Sequence, residues 1–422
     1  MTTTSPSAPA TSNISLPACR FCGKPLQHTF IDLGMSPLCE SYPSAADLHR
    51  GETYYPLHVR VCDSCFLVQL EEYESADNIF TDYAYFSSFS DSWLNHCQTY
   101  CKDMIDRFQL DSKSFVVEVA SNDGYLLQYF VEQRIPVLGI EPAKNVASAA
   151  LEKGVPTMVE FFGKQLADKL AGEGRQADLV LGNNVLAQVP DLNDFVSGLA
   201  ALLKPGGVLT LEFPHLLRLI DGNEFDTIYH EHFSYFSLGT AVEILKKHDL
   251  TVFDIDELPT HGGSLRVYAC RSACNRQTSS SVAKVLQMEA SANLRTLRGY
   301  EGFGEKVKQT KFAFLEFLLS AAQSGKTVAG YGAPGKSATL LNYCGVGKDL
   351  IHFTVDRNPY KHGRFLPGTR IPIFPPDHIR EQKPDYIVIL PWNLKTEIMA
   401  QLQYVREWGG QLVVPIPFLT IY

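Results

Sequence analysis

The sequence predicts an α/β protein in which a small cysteine-rich module precedes two strand–turn–helix units. A chain of 422 residues is too long for one typical hydrophobic core, so two or three domains are expected. Two C-x2-C pairs lie near the start of the chain, and an apolar strand followed by a glycine-containing turn and a helix occurs near residue 115 and again near residue 326. We expect a disordered tail over 1–15, the cysteine-rich module over 16–75, a first α/β domain over 76–260, and connector helices with a second, Rossmann-like domain over 261–422.

The composition excludes several classes of protein. With 45% hydrophobic and 20% charged residues, the chain has the balance of a soluble protein, and no apolar run approaches the roughly 18 residues needed to cross a bilayer. Residues 1–12 lack the basic start and apolar stretch of a secretory signal, which favours a cytoplasmic location. The formal net charge of -9 argues against nucleic acid as a partner, because binding it needs a basic face.

The paired cysteines predict a metal site. Cys19 and Cys22 form one C-x2-C pair, and Cys62 and Cys65 form another. Each pair can present two sulfurs to one ion, and four thiolates close a tetrahedral zinc site. Disulfide bonds are the alternative, which a cytosolic chain disfavours because it keeps thiols reduced. Since all four ligands would come from the protein, we expect the zinc to be structural.

The first strand–turn–helix unit has the features of a nucleoside-binding site. Residues 115–120 form an apolar strand that contains Glu118, and the turn at 121–124 brings backbone N–H groups and a helix start to a ligand. The second strand ends at Glu141, where α/β folds place a carboxylate on ribose hydroxyls. The turn holds one glycine instead of G-x-G-x-x-G, so a nucleoside smaller than a dinucleotide fits better.

The order of these features resembles class I S-adenosylmethionine (SAM) methyltransferases, with structural coincidence as the alternative. The strand-one acid, the Asp-Gly turn, the strand-two glutamate and the Lys-Pro-Gly-Gly turn at 204–207 occur in sequence. The resemblance implies cofactor contacts from eight residues, namely Glu118, Ala120, Asn122, Asp123, Gly124, Glu141, Asn183 and Asn184.

A polar segment at 226–236 predicts the reaction centre. Tyr229, His230, Glu231 and His232 are four consecutive side chains that can donate, accept or hold protons, and aromatic residues of the kind that wall a pocket follow them. The plain alternative is a polar loop with core aromatics behind it. The segment follows directly on the nucleoside-binding pattern, where a substrate would meet a cofactor.

The second α/β unit contains a formal P-loop match. Residues 330–337 fit G-x-x-x-x-G-K-S, with Lys336 as the lysine. A phosphate-hydrolysing site also needs a magnesium-holding acid on a later strand and a means to position water. The next strand ends at Asp356 in the manner of a Rossmann-type unit, so we expect no ATP hydrolysis. The helical pattern over 279–323 connects this unit to the first.

Motifs along nearly the whole chain after about residue 16 resemble the three-domain sugar C-methyltransferases, which act on nucleotide-linked 4-keto-deoxyhexoses. Besides the two cysteine pairs, they are Tyr85-x-Ser-Ser, the stretches 118–124 and 229–236, His261-Gly-Gly-Ser-Leu-Arg266, and 332–342. The resemblance implies a SAM-binding domain, a structural zinc and a C-terminal domain that helps form the sugar-nucleotide cleft. It also implies substrate contacts from Gln188, His261, Arg266 and Lys336.

Transfer of a methyl group to carbon implies an enolate and therefore a base. His232 is the first candidate because its ordinary pKa lies near neutrality, whereas Tyr229, ordinarily near 10, would need strong activation. Glu231 would orient or polarise His232, and Tyr229 or Tyr85 would donate to the enolate oxygen. The family often has histidine where this chain has Gln188, whose amide can hydrogen-bond but cannot shuttle protons. The alternative is a non-catalytic sugar-nucleotide or ATP-binding protein of the same fold.

Overall fold

The computed structural model describes residues 16–80 and 86–422. In these two ranges the strands form three sheets, of four, seven and six strands. None of the helices described there is both long enough and apolar enough to cross a membrane.

The cysteine-rich module forms an antiparallel sheet that borrows a strand from the polar segment. Its strands are β1 (His28–Ser36), β2 (Tyr55–Val61) and β3 (Val68–Leu70), followed by helix α1 (Ala76–Phe80). The fourth strand, β9 (Ser234–Tyr235), pairs with β3 in the register Val68 to Tyr235 and Gln69 to Ser234. The module and the polar segment therefore share one sheet.

The first α/β domain is built on the seven-stranded sheet, in the order β10-β11-β8-β7-β4-β5-β6. The strands are β4 (Val116–Val119), β5 (Val137–Ile140), β6 (Thr157–Met158), β7 (Ala177–Asn183), β8 (Leu203–Pro214), β10 (Leu250–Leu258) and β11 (Ser264–Arg271). Strands β8 to β6 run parallel, and β10 and β11 form an antiparallel hairpin beside them. Because β11 pairs with β8, the sheet continues past the limit at residue 260 that we expected from the sequence.

Helices cover both faces of this sheet, which explains why β4 and β5 are buried along their whole length and are apolar except at Glu118. The helices are α2 (Asp91–Phe108), α3 (Leu127–Glu132), α4 (Lys144–Glu152), α5 (Lys164–Gly172), α6 (Leu192–Leu202), α7 (Leu216–Asp221) and α8 (Leu238–Lys247). The long helix α2 begins after Ser90, whose hydroxyl accepts from the Trp93 N–H and caps the helix.

The C-terminal domain follows two connector helices, α9 (Ser280–Ser291) and α10 (Phe303–Gln323). Its strands are β12 (Val328–Tyr331), β13 (Thr354–Val355), β14 (Ile373–Phe374), β15 (Tyr386–Ile389), β16 (Gln411–Val414) and β17 (Thr420–Ile421), in the order β14-β13-β12-β15-β16-β17. Its helices are α11 (Gly335–Cys344), α12 (His378–Gln382) and α13 (Lys395–Gln401). All strand pairs are parallel except the last, which gives the Rossmann-like architecture expected.

The apolar cores join the three parts. One core runs from β1 and β2 through α10 into the C-terminal sheet, and within it the Phe30 ring stacks on Phe303 with centroids 4.7 Å apart. A second core includes three of the paired cysteines together with apolar residues of β4, β7 and β8. The cysteine-rich module therefore packs against both α/β domains.

Candidate active site

The four paired cysteines converge. The Sγ atoms of Cys19 and Cys65 lie 3.6 Å apart, those of Cys22 and Cys62 lie 3.5 Å apart, and all four sulfurs fall within 4.8 Å of one another. Zinc–sulfur bonds of about 2.3 Å in a tetrahedron place sulfurs roughly 3.8 Å apart, so the cluster fits one zinc ion. The same separations are far longer than the roughly 2.05 Å of a disulfide bond. A set of four sulfur ligands leaves no open position, which indicates a structural ion.

The turn after β4 is held in an unusual backbone conformation. Ala120 and Asn122 have φ values of 58° and 48°, in the left-handed region that few residues with a side chain adopt, and Gly124 follows at 73°. The Glu141 carboxylate braces the turn, because its two oxygens accept from the N–H groups of Asn122 and Ala143, each at 2.9 Å. Such backbone strain persists where the surroundings fix it, as at ligand sites.

Buried polar side chains at the carboxyl ends of β4 and β7, where an open α/β sheet forms its crevice, lack partners among the described residues. Neither atom of the Asn183 side-chain amide, nor the Ser121 hydroxyl, has a hydrogen-bond partner among residues 16–80 and 86–422. Buried polar groups are normally paired, and in open α/β sheets ligands bind at the carboxyl ends of the strands. Burial also raises the pKa of Glu118 well above its ordinary value, although the Tyr125 hydroxyl opposes the shift. This crevice fits the hydroxyl and amino groups of a nucleoside cofactor such as SAM.

His232 is oriented by the backbone. Its Nδ1 lies 2.9 Å from the Thr227 carbonyl oxygen, which assigns the ring proton to Nδ1 and leaves the Nε2 lone pair available. The ring lies against that of Tyr229, with centroids 4.1 Å apart. Burial, together with the nearby His261 and Lys336, lowers the pKa of His232 to about 4, although the hydrogen bond to the Thr227 carbonyl opposes the shift. The imidazole is therefore neutral at physiological pH and can accept a proton.

The C-terminal domain contributes Lys336 to the same cleft. Its Nζ donates to the Asn393 side-chain oxygen at 2.9 Å and lies 4.7 Å from the centre of the Trp392 ring. Trp392 Nε1 in turn donates to Asp226 Oδ2 at 2.8 Å, which ties the polar segment to the C-terminal domain. One turn further along α11, the Thr339 hydroxyl donates to the Ile228 carbonyl at 2.7 Å.

His261 lies in the turn between β10 and β11. Asn184 Nδ2 donates to His261 Nε2 at 3.2 Å, and the His261 ring meets the Trp93 ring edge-on at 5.4 Å. Burial lowers the pKa of His261 to about 4. Asn184 and His261 both have positive φ, of 59° and 54°, as expected of residues held in place for a site.

Comparison with known proteins decides the family. Residues 19–80 match a family described as "Putative zinc binding domain", residues 93–255 one described as "Methyltransferase domain", and residues 259–417 one described as "C-methyltransferase C-terminal domain". The chain is 36% identical over 399 residues to the C-methyltransferase NovU of Streptomyces niveus, covering 94% of this chain and 95% of NovU. The chain belongs to this family of C-methyltransferases.

More distant similarities cover the methyltransferase part. A ubiquinone biosynthesis O-methyltransferase of Bartonella tribocorum is 24% identical over 114 residues, which are 27% of this chain and 46% of that protein. The crystal structure of magnesium protoporphyrin IX methyltransferase from Synechocystis PCC 6803 with bound SAM covers 43% of this chain and 82% of its own, with a TM-score of 0.32 and 16% identity.

Membership in the family confirms several predictions. The chain is a SAM-dependent C-methyltransferase with a zinc-binding N-terminal module, and the α/β fold class is as expected. It is an enzyme, which removes the alternative of a non-catalytic binding protein. SAM supplies the methyl group when it is bound, and the cysteine cluster holds zinc.

The structure of the C-methyltransferase shows what two side chains of the polar segment contact. Glu231 does not orient His232 through Nδ1, because the Thr227 carbonyl occupies that position; a carboxylate oxygen of Glu231 instead lies 3.5 Å from Cys39 Sγ. His230 packs against the cysteine-rich module, where its Nε2 lies 3.2 Å from the Pro56 carbonyl oxygen and its ring meets the Tyr55 ring edge-on.

The other predicted contacts fall into distinct settings. Arg266 is only 4% exposed and donates to the Glu212 carboxylate at 2.9 Å, so its charge is neutralised within the sheet. Asn122 and Asp123 tie the cofactor turn to other parts of the chain. Asn122 Oδ1 accepts from the Ser87 N–H at 3.0 Å, and Lys153 Nζ donates to Asp123 Oδ2 at 3.0 Å. Tyr85 lies outside the described residues.

Gln188 lies next to the polar segment, because the preceding residue, Ala187, is hydrogen-bonded to it. The Ala187 carbonyl accepts from the Phe233 N–H at 2.7 Å, which places Gln188 beside the residue that follows His232. Its own side-chain amide is half-buried and makes no hydrogen bond to another residue described by the structure. That amide is available to a ligand.

Sequence reasoning missed two acids and an aromatic residue in this cleft. Burial raises the pKa of Glu224 to about 8 and that of Asp226 to about 6, and the Lys336 ammonium opposes both shifts. Asp226 was within the quoted segment, but no local pattern marks Glu224 or Trp392. Their proximity to Lys336 arises only when the two α/β domains meet.

Proposed function

We propose that this C-methyltransferase methylates a carbon next to the ketone of a nucleotide-linked keto-deoxysugar, by way of an enolate formed at His232. The observation that carries the proposal is the setting of His232, whose Nδ1 is bound to a backbone carbonyl at 2.9 Å and whose Nε2 is left to accept a proton. A carbon nucleophile requires removal of a proton, and a 4-keto group makes the neighbouring C3 proton removable. The bound SAM supplies the methyl group to that carbon.

The charges around His232 suit an enolate. A protonated His232 is disfavoured by Lys336 and by burial, since both lower its pKa. The negative charge that develops on the enolate oxygen as the proton is transferred offsets this penalty, because opposite charges attract strongly in a site that excludes water. The imidazole is therefore stabilised as a cation during the reaction rather than before it.

Tyr229 is assigned as a hydrogen-bond donor. Burial and the nearby Cys39 and Glu231 raise its pKa well above the ordinary value, so the phenol keeps its proton and cannot serve as the base. Its ring is in contact with that of His232. A phenol beside the base can donate to the enolate oxygen, a role that the sequence also assigned to Tyr85.

A polar cavity opens beside Glu231, the residue before His232. It has a volume of about 770 Å³, within the usual range for ligand pockets, and its lining includes Glu231, Arg50, Arg364, Phe86 and Tyr360. Arginine side chains suit phosphate oxygens. Arg50 is paired with Asp47 at 3.3 Å, so Arg364 is the arginine of this lining that we assign to the diphosphate of the substrate.

Incubation with SAM and a panel of 4-keto-deoxyhexose nucleotides tests the proposal. We expect at least one member to gain a methyl group at C3, detected by mass spectrometry and NMR. If the protein binds SAM but methylates no member of the panel, the substrate assignment is wrong. Methylation on oxygen or nitrogen in place of carbon would contradict the enolate step.

A further inference from the structure

Gln69 links the zinc cluster to the strand beside the polar segment. It lies in β3, which follows Cys65 closely, and it is 2% exposed. Its side-chain Nε2 donates to Cys19 Sγ at 3.1 Å, and its Oε1 accepts from the Arg20 N–H at 2.9 Å. One amide thus contacts both a zinc ligand and the backbone of the first cysteine pair.

The backbone of the same strand holds the polar segment. Gln69 is paired with Ser234 in the sheet, and the Leu70 N–H donates to the Phe233 carbonyl at 3.0 Å. The Phe233 N–H donates to Ala187 on the other side. His232 directly precedes these residues, so the position of β3 helps to set the position of the imidazole.

Arg20 strengthens the connection from the cysteine side. Its guanidinium donates to the Pro190 carbonyl at 2.8 Å and to the Leu70 carbonyl, and it lies 5.4 Å from the centre of the Phe233 ring. The first cysteine pair therefore contacts β3 and the polar segment directly. Nothing in this arrangement is needed to bind a metal, since the four thiolates already complete the coordination.

We propose that Gln69 is a positioning residue for the reaction centre. Its side chain couples the first cysteine pair, at Cys19, to strand β3, which holds the segment that contains His232. Groups that bind metal ligands from outside typically affect metal affinity or activity by about 10- to 100-fold. A misplacement of about 1 Å at a reacting group can lower a rate by about 10²-fold. Loosening β3 would displace His232 while leaving the SAM crevice intact.

The test is Gln69→Leu, with Gln176→Leu as the matched control. Gln176 also donates through its side-chain amide, to the carbonyls of Ala201 at 2.9 Å and Leu203 at 3.1 Å, far along the chain from the cysteines. Both variants lose buried or half-buried hydrogen bonds, so a general loss of stability would appear in both. Zinc content, SAM affinity, amide hydrogen exchange and methyl transfer are measured for each.

For Gln69→Leu we expect one zinc per chain, unchanged SAM affinity, faster hydrogen exchange over residues 229–236, and a kcat about 10- to 100-fold lower with KM little changed. Gln176→Leu should leave exchange over 229–236 and kcat at the wild-type level. Unchanged exchange over 229–236 in Gln69→Leu overturns the proposal, as does a loss of activity that only accompanies loss of zinc.

The activity arm rests on the proposed function, whereas the exchange arm needs no substrate. If no sugar is methylated by the wild type, the proposed function fails and the exchange data still decide on Gln69.

Discussion

The turn after β4 and the turn after β12 both follow four-residue parallel strands, yet their surroundings differ. The first contains Ser121 and lies next to the end of β7 at Asn183, and the polar side-chain atoms of both residues are buried without a partner in the described part of the chain. The second is covered: the Tyr42 hydroxyl donates to the Ala333 carbonyl at 2.6 Å, and Lys361 Nζ donates to the same oxygen at 2.9 Å. The Tyr42 hydroxyl and the Lys361 ammonium thus occupy the place where a nucleotide would approach the crevice of a Rossmann domain.

The difference shows that a strand–turn–helix unit can serve either a ligand or another domain. In the second unit, the Cβ that Gly335 lacks would lie only 2.9 Å from Cys39 Sγ, so the glycine admits the cysteine-rich module rather than a phosphate. Asp356, in the position of a ribose-binding acid, accepts from the Ala333 N–H at 2.6 Å and closes the turn. This is the physical reason to discount the P-loop match at 330–337.

The largest effect is expected from substitution of the proposed base. His232→Gln removes the proposed base and should lower turnover by about 10²- to 10⁴-fold, the usual range for a positioned general base, while SAM affinity stays unchanged. His230→Gln is the matched control, because that ring is bonded to the Pro56 carbonyl instead of facing the cleft. Steady-state kinetics in which both variants lose the same activity would remove the special role of His232.

Glu141→Ala tests the cofactor site at the turn after β4. The carboxylate holds the turn and is predicted to accept the ribose hydroxyls, so SAM binding should weaken by roughly 1 to 3 kcal/mol. Calorimetry measures this directly. Asp356→Ala removes the corresponding acid beside the turn after β12 and should leave SAM affinity unchanged. Equal SAM affinity in wild type and Glu141→Ala would contradict the assignment of the cofactor crevice.

Tyr42→Phe tests the packing that covers the turn after β12. Loss of the hydroxyl leaves the Ala333 carbonyl with one donor fewer and removes an acceptor from Lys361, which should lower the free energy of unfolding by about 1 to 2 kcal/mol. Tyr55→Phe removes a more exposed bond, to Glu74, and should have a smaller effect. Chemical denaturation compares them. Magnesium-dependent ATP turnover that Lys336→Ala abolishes would show that the second turn binds phosphate after all.

The smallest effect concerns pH. Burial raises the pKa of Glu141 to about 7 in the free protein. The ionised carboxylate is the better acceptor for ribose hydroxyls, so SAM affinity should fall as the group becomes protonated, by up to about tenfold between pH 8 and pH 6. Glu141→Gln should flatten this dependence. A wild-type affinity that is constant over this range, measured by calorimetry, would count against Glu141 as the ribose ligand.

Local spacing was enough to predict some features. Cys19 and Cys22 are close in sequence, and the strand–turn–helix pattern around Glu118 and Glu141 lies within one short stretch of chain. These are the features that the structure and the family comparison bear out. The roles of individual side chains around the cofactor and the substrate remain predictions.

Features that depend on distant parts of the chain could not be predicted. Trp392 meets Asp226 across 166 residues, and Tyr42 meets Ala333 across 291. Arg266 was expected to contact the substrate, and only the fold shows that Glu212 lies beside it. The backbone carbonyl that orients His232 carries no signal in the sequence, because every residue has one.

Exchange of the C3 proton tests the central claim most directly. Wild-type protein, with a SAM analogue bound and a 4-keto sugar nucleotide that the panel identifies as substrate, is placed in deuterated solvent, and deuterium at C3 is followed by NMR. We predict exchange by the wild type and by His230→Gln, and none above background by His232→Gln. Exchange by His232→Gln at the wild-type rate would contradict the assignment of His232 as the base.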